Sequence, residues 1–361
     1  MAIQSIKLKP GINREGTRYT TEGGYYDGDK IRFRQGTPEK IGGWQQISTS
    51  TFEGVCRSLH NWVTLGGQNL IGVGTHLKFY IENIGTYFDV SPLRATVSLS
   101  NPFTTVSGSA VVTVTDANGG YQDGDYVTFS NASAVGGLTI DGEFVVSLSV
   151  TTAAGTFTIT AASNASSSAT GGGTVSAAYQ INVGNPFAVP ITGWGAATWG
   201  QGTWGVGESS TTAIRFWSQS NFGEDLVFGN DGGSIYYWDA TDGVSTRAVE
   251  LSTLSGASDV PVVQNLILVS DISRFVFCFG TNAIGSSSID PTLLRWSDQE
   301  DAANWTPSAT NQAGSLRLSR GTKIVAASQA RQEILVWTDS SLYSLQYVGA
   351  PAVWAATLVG E

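Results

Sequence analysis

The sequence predicts an all-β protein: β-propeller-like blades, an inserted small β-sandwich or barrel domain, and an extended N-terminal arm. Three observations predict it. Only 13% of the 361 residues are charged and 44 are glycine, whereas an ordinary soluble protein carries about 25% charged residues and about 7% glycine. Helices with charged outer faces are therefore not available in number. Short runs of apolar/polar alternation, the mark of half-buried strands, recur along the chain. Groups of three such runs, broken by Gly, Asn and Asp, return at a spacing of roughly 40–60 residues, the scale of propeller blades.

The elements follow in order. Residues 1–50 read as an arm with a docking strand: "YYDGDKIRFRQGTPEKIGGW" has an Asp-Gly turn signal, the alternating Ile31-Arg32-Phe33-Arg34, then Gly and Pro breakers. Alternation would put Arg32 and Arg34 on one exposed face. Residues 51–94, with "VCRSLHNWV", "QNLIGVGTHLKFYIEN" and "GTYFDV", read as a four-stranded antiparallel first blade. Residues 95–183 hold no Lys or Arg and five acids, Asp116, Asp123, Asp125, Asp141 and Glu143. Their strong alternation predicts an inserted all-β domain, with Phe157 and Ile159 inward and Thr156, Thr158 and Thr160 outward. Insertion at an exposed loop is tolerated where both ends lie close. "SNASSSATGGGTVSAAY" reads as a low-complexity linker or as that domain's last hairpin. Residues 184–205 are a Gly/Trp-rich connector. Residues 206–361 read as the remaining blades, about four in all with the first. Within them "YYWD", "LRWSD" and "LVWTD" place a Trp just before an Asp. The expected sense is a ring filling the gap between blades and a carboxylate capping the next turn. The chain ends at "PAVWAATLVGE", where a further strand is expected.

Chemistry-bearing motifs are sparse. Cys56 and Cys278 lie far apart, outside metal or CxxC spacing, and read as reduced thiols. His60 and His76 fall in strand-like segments, and no HExxH, GxSxG or P-loop pattern occurs. The densest carboxylates are Glu224-Asp225 and "SDQEDAANW" with Asp298, Glu300 and Asp301. The latter resembles the aspartate-box turn of sialidases without its Gly, and reads better as a solvated turn. A glycosidase needs two carboxylates held across a sugar, which sequence does not display. "DANGGYQDGD" offers oxygen ligands without the EF-hand order. No catalytic residue, metal site or cofactor is expected. Neither a signal peptide nor a membrane-spanning run is expected.

Charge is uneven. Residues 1–50 hold eight basic and five acidic residues, net +3, and the rest of the chain holds 11 basic and 24 acidic, net -13. An acidic body is a poor phosphate binder. It suits a surface that DNA passes without sticking, and equally suits plain solubility.

"GYYDGDKIRFRQGTPEKIGGW", "GWGAATWGQGTWG", "RWSDQEDAANWTP" and "LVWTDSSLYSLQYVG", in this order, resemble the tail nozzle proteins of short-tailed bacteriophages (podoviruses), also called tail hub or packaged-DNA stabilisation proteins. The insert, through "DGDYVTFS", "VGGLTIDGEF" and "TFTIT", is similar to a small β module of phage tail proteins. The resemblance implies a non-enzymatic virion component, assembled in the host cytoplasm. It implies a homohexameric ring below an adaptor protein that forms the DNA conduit, retains the packaged genome and lets it out. Tail fibres or spikes are further partners by the same implication. Members are usually longer, so the distal tip and any gate are not expected within this chain.

Two groups of site residues follow. Arg14, Arg18, Lys30, Arg32 and Arg34 are candidate adaptor contacts, with solvated strand-face charges as the bland reading. Trp194, Trp199 and Trp204 recur every five residues, a period that fits neither strand nor helix. Glycine-rich backbone lets such rings turn onto a blade face or a neighbouring subunit; intrachain packing and a sugar-stacking platform are the other readings. A carbohydrate- or receptor-binding tail protein is the alternative function, and a propeller glycosidase a third.

Overall fold

The computed structural model describes residues 8–17, 19–20, 22–43, 46, 48–118, 121–148, 154–183, 215–271 and 273–361. The chain divides into two compact units, Met1–Thr49 and Ser50–Glu361.

In the first unit, β1 (Ile31–Arg34) and β2 (Thr37–Lys40) form an antiparallel hairpin, with Arg32 opposite Glu39. Gln35 and Gly36 both take positive φ, 49° and 83°, as a tight two-residue turn matched to strand twist requires. Tyr25 packs edge-on against Phe33 at 5.2 Å. The expected alternation holds: Arg32 and Arg34 are exposed, while Ile31 and Phe33 are half-buried.

The second unit is all-β and propeller-like. Its first sheet is the meander β3 (Cys56–Val63), β4 (Asn69–Thr75), β5 (Phe79–Asn83) and β6 (Thr86–Asp89). The insert follows with β7 (Leu93–Ser100), β8 (Phe103–Thr105), β9 (Val111–Thr115), β10 (Tyr126–Ser130), β11 (Gly142–Val145), β12 (Thr156–Thr160), β13 (Ala169–Gly171) and β14 (Thr174–Gln180). Three more meanders complete the chain. The second sheet is β15 (Trp217–Phe222), β16 (Asp225–Asn230), β17 (Tyr236–Trp238) and β18 (Val249–Glu250). The third is β19 (Leu266–Val269), β20 (Val276–Asn282), β21 (Ile289–Trp296) and β22 (Gly314–Arg317). The fourth is β23 (Ile324–Gln329), β24 (Ile334–Thr338), β25 (Leu342–Gly349) and β26 (Val353–Gly360). The stretch "PAVWAATLVGE" thus supplies the fourth strand of the last sheet.

The insert is a β-sandwich. One sheet runs β11-β10-β14-β7 and the other β12-β9-β8-β13. Their inner faces share one core that includes Phe103, Val112, Phe129, Phe157, Ile159 and Tyr179. Phe157 and Ile159 face in, as the alternation requires. β13 and β14 are not a hairpin: each belongs to a different sheet. Gly172 and Gly173, both at positive φ, carry the chain across. A Cβ at Gly172 would sit 2.6 Å from the Phe103 ring, so only glycine fits there. The two ends of the insert leave side by side, since Gln180 of β14 pairs with Leu93 of β7.

The four meanders pack in series, and every junction follows one rule. The first strand of each sheet lies against the first and second strands of the sheet before: β15 on β3 and β4, β19 on β15 and β16, β23 on β19 and β20. Each junction has its own buried core. The first joins Trp62, Phe79 and Ile81 to Trp217, Phe228 and Trp238. The second joins Val227 and Ile235 to Ile267, Val269 and Trp305. The third joins Phe277, Phe279 and Trp296 to Ile334, Val336 and Trp354.

The tryptophan-aspartate pairs are not equivalent positions. Trp238 and Trp296 end third strands and fill junctions, whereas Trp337 lies on β24, a second strand. It is half-buried, on the side of the fourth sheet turned away from the third.

Candidate functional site

The basic residues of the arm are largely met by their own neighbours. Arg14 pairs with Asp27. Arg32 Nε donates to Glu39 Oε1 at 2.5 Å across the hairpin, because the register sets the two residues opposite each other. Lys30 Nζ lies 3.9 Å from the Asp29 carboxylate. Arg34 shares the exposed face of Arg32. These are exposed pairs, each worth about 0–1 kcal/mol. They hold side chains in place without removing them from reach. The hairpin therefore brings Arg32 and Arg34 together, while Lys30 sits on the bend just before β1 and Arg14 in irregular chain further upstream. Arg18, Trp194, Trp199 and Trp204 lie outside the described residues, as does all of residues 184–214.

The carboxylates singled out by sequence build turns. Asp225 accepts from Ala240 N at 2.9 Å and from the Tyr237 hydroxyl. Burial and that carboxylate raise the Tyr237 phenol above its ordinary range. Glu224 accepts from Leu65 N, and its main-chain carbonyl accepts from Trp62 Nε1 at 3.0 Å, so it seals the first junction. Asp298 Oδ1 accepts from Gln299 N and Gln312 N, both at 2.8 Å, and Asp301 Oδ1 from Ala303 N at 3.0 Å. Asp239 caps a short 3-10 turn by accepting from Thr241 N. In "DANGGYQDGD", Asp116 accepts from Tyr179 OH at 2.7 Å and Asp125 from Gln122 N at 2.8 Å. Burial raises the Asp125 carboxyl, against the pull of that N–H and of Arg94. Among the described residues no group of three or more His, Cys, Asp or Glu is placed to hold a metal ion.

Both histidines bond within the fold. His60 Nε2 bonds Asn221 Oδ1 across the first junction. His76 Nδ1 accepts from Val55 N at 2.9 Å. Burial, with Arg57 nearby, lowers the His76 imidazole below its ordinary value.

The densest charged cluster was not singled out by sequence. Lys78, whose side chain is 6% exposed, lies 3.4 Å from Glu53 and 3.6 Å from Asp89, and bonds Glu143 of the insert. Its ammonium stands 4.8 Å from the centre of the Tyr126 ring. Arg247 of the second sheet's loops also reaches Asp89, at 3.0 Å. Burial alone would lower the Lys78 ammonium, but the bond to Glu143 and the charges of Asp89 and Glu143 outweigh it and raise it. Burial pushes neighbouring Tyr80 up to about 12. This cluster fixes the insert on the first sheet. A lone lysine in the apolar run "GTHLKFYIEN" is the one signal that pointed to it.

A shallow groove of about 370 Å³ lies on β3 and β4, lined by Leu59, Asn61, Asn69 and Ile71 among others. Among the described residues no helix is long and apolar enough to cross a membrane.

No family model matches the chain, and no curated protein matches it. Among solved structures, the endosialidase of phage phi92 is similar at 15% identity over 86% of this chain, with a TM-score of 0.23. The match covers 44% of that protein, so the chain spans less than half of its length. A likeness this distant leaves the functional reading to the chain's own residues.

Proposed function

We propose that this chain is a structural subunit of a short-tailed phage tail. In this reading copies form a nozzle ring below the adaptor, make the DNA conduit, retain the genome and release it. The supporting observation is a series of four sheets that packs, among the described residues, by one repeated rule. The order of the four resembling stretches supports the same reading, as does the contrast between a basic first unit and an acidic body. In this reading Arg32 and Arg34 meet an acidic adaptor surface. The conduit wall carries net negative charge, so phosphates are repelled rather than held. Localisation to the virion tail, a six-fold ring and the adaptor partner belong to this proposal.

The test is negative-stain imaging of the whole protein, alone and mixed with the adaptor complex of its virion. Rings, alone or on the adaptor, are the expected result. A protein that ignores the adaptor and instead binds glycans saturably as a monomer would replace this reading with the carbohydrate-binding one.

A further inference from the structure

We propose that the inserted sandwich is an arm held down by a polar latch on Lys78, and that release of the latch lets it swing as a rigid body about the bulge at Arg94 while it and the four meanders stay folded. The proposal goes beyond the ring reading above and does not rest on it.

The division of the cores carries the argument. The sandwich closes its own core, whose buried residues run from Phe103 to Tyr179 and whose half-buried neighbours run from Val97 to Ala169. The first junction is a separate core, reached from the chain flanking the insert only by Val90, Ile181 and Val183. Among the described residues no insert strand makes more than isolated contacts with a meander strand. The ties that span the joint are polar. Lys78, on the turn between β4 and β5, bonds Glu143 of β11 and stands 4.8 Å from the centre of the Tyr126 ring of β10. Gln180 Nε2 donates to the same Glu143 carboxylate at 2.9 Å. A second tie is Asn182: its Nδ2 donates to Gln122 Oε1 at 2.6 Å, and its carbonyl accepts from Arg215 Nη1 at 2.9 Å and Asn230 Nδ2 at 3.1 Å. Polar joints of this kind resemble transient interfaces, across which relative motion is the default. Release is also mild at the latch itself. Lys78 keeps Glu53 and Asp89, both on the first-sheet side, when Glu143 leaves, and Glu143 keeps Gln180.

The pivot follows from the neck. Val90, Ser91 and Pro92 are buried. Ala248 N donates to the Val90 carbonyl at 3.1 Å, and Arg247 Nη1 to the Ser91 carbonyl at 2.8 Å. These residues therefore belong to the meanders. Just beyond them the register of β7 and β14 breaks: Ala95 faces Tyr179 and Leu93 faces Gln180, so Arg94 is the residue left over. Such a bulge bends its strand and interrupts the ladder. Hinges are a few element-terminal residues of this kind, which absorb changes in φ and ψ. Leu93 and Arg94 are exposed, so turning them displaces no core. Arg94 bonds Asp125 of the insert at 3.3 Å and travels with the sandwich. Because β7 and β14 lie side by side, both chain crossings share one pivot.

Double electron–electron resonance on the whole protein tests this. Spin labels go on Ala162→Cys in the insert and Leu65→Cys in the turn between β3 and β4, both exposed positions. Cys56→Ser removes the half-buried thiol, and Cys278 is buried. The parent protein should give one narrow distance. Glu143→Lys, which sets two cations face to face, should replace it by a broad distribution. Hydrogen exchange in β9 and β12 and at the second and third junctions should stay as in the parent. Lys78→Met repeats the test from the other side of the latch should the first variant fold poorly. A distance that stays narrow in both variants overturns the proposal. So does a broad distribution in the parent protein, since the cluster would then hold nothing down. Loss of exchange protection in β9 and β12 in both variants overturns it as well, because the cluster would then be part of the sandwich's own fold.

Discussion

Replacing Lys78 by Met removes the charge at the centre of the insert's attachment and keeps most of the volume. The cost follows from the geometry. At an effective dielectric of about 20, one unit-charge pair near 3.5 Å is worth roughly 4–5 kcal/mol before desolvation. Lys78 meets Glu53 and Asp89 at 3.4 and 3.6 Å and Glu143 more closely. Burying the ammonium takes back several kcal/mol. Removing one partner of a buried pair costs about 3–5 kcal/mol in general. Here the carboxylates keep some solvent, 22% to 59% of their side chains exposed, and Asp89 keeps Arg247. The lower end, about 3 kcal/mol, is expected. Because the folded ammonium is raised, its contribution is fully present below the ordinary lysine value of 10.5 and is lost only as pH rises through the raised one. The loss should therefore be flat across neutral pH. Urea unfolding of the variant gives the magnitude. Hydrogen exchange should show Gly142–Val145 and the turn before Phe79 opening ahead of the sandwich core. A double-mutant cycle with Glu143→Gln isolates the pair. A change below about 0.5 kcal/mol, with exchange at β11 unaltered, would refute the view that this cluster holds the insert.

Three further outcomes are expected. Gly74→Ala should destabilise by about 1–3 kcal/mol, the usual cost of overpacking, because the new Cβ would lie 2.5 Å from Trp217 Cδ1; thermal melts check it, and a neutral result would mean the first junction gives way easily. Cys278, fully buried and with its thiol pushed up by burial, should react with a thiol reagent only on unfolding; labelling of the native protein at Cys278 would contradict the second junction as described. His76 has its folded value lowered by burial and Arg57, so its contribution is present above about 6.5 and lost as pH falls through the lowered value. Stability measured from pH 8 to 5 should decline over that window, and His76→Gln should remove that part of the slope.

Much of the fold was legible because alternation is a local property. Ile31–Arg34 and Thr156–Thr160 read as strands with the correct faces in and out. The four-strand grouping of residues 51–94 also followed from short apolar runs between turn signals. What escaped was the partner of each strand. "SSATGGGTVSAAY" offers a hairpin by local signals, yet Phe103 crowds Gly172 and the chain crosses to the other sheet there. The Trp-Asp pairs likewise report a strand followed by a turn. They do not report whether that strand is second or third in its sheet, so the pattern alone groups Trp337 with Trp238 and Trp296. The candidate contacts show the same limit. Arg14 and Arg32 were visible as charges, but Asp27 and Glu39 reach them through a fold 13 and seven residues long. Lys78 finds Glu143 across 65 residues, a distance over which no spacing rule operates.

The carboxylates that sequence offered as chemistry spend themselves on backbone N–H groups, and this bears on the charge of the body. A carboxylate that accepts such bonds is held in its charged form. The Asp339 carboxyl is lowered by the Thr322 hydroxyl and N–H, and that of Glu333 by Ser344 and Gln346. At Asp339, which accepts from Thr322 N, turn building and negative charge are thus one feature rather than two. Replacing Asp298 or Asp339 by Asn would weaken a turn and remove a charge at once, whereas adding Lys at an exposed strand position would change the charge alone. In the proposed conduit the second kind of change separates the roles. If repulsion of phosphate lets DNA pass, exposed lysines on the acidic body should create salt-sensitive DNA binding in a protein whose melting is unchanged. A body that still leaves DNA unbound after several such additions would mean that its negative charge serves folding and solubility and plays no part in passage.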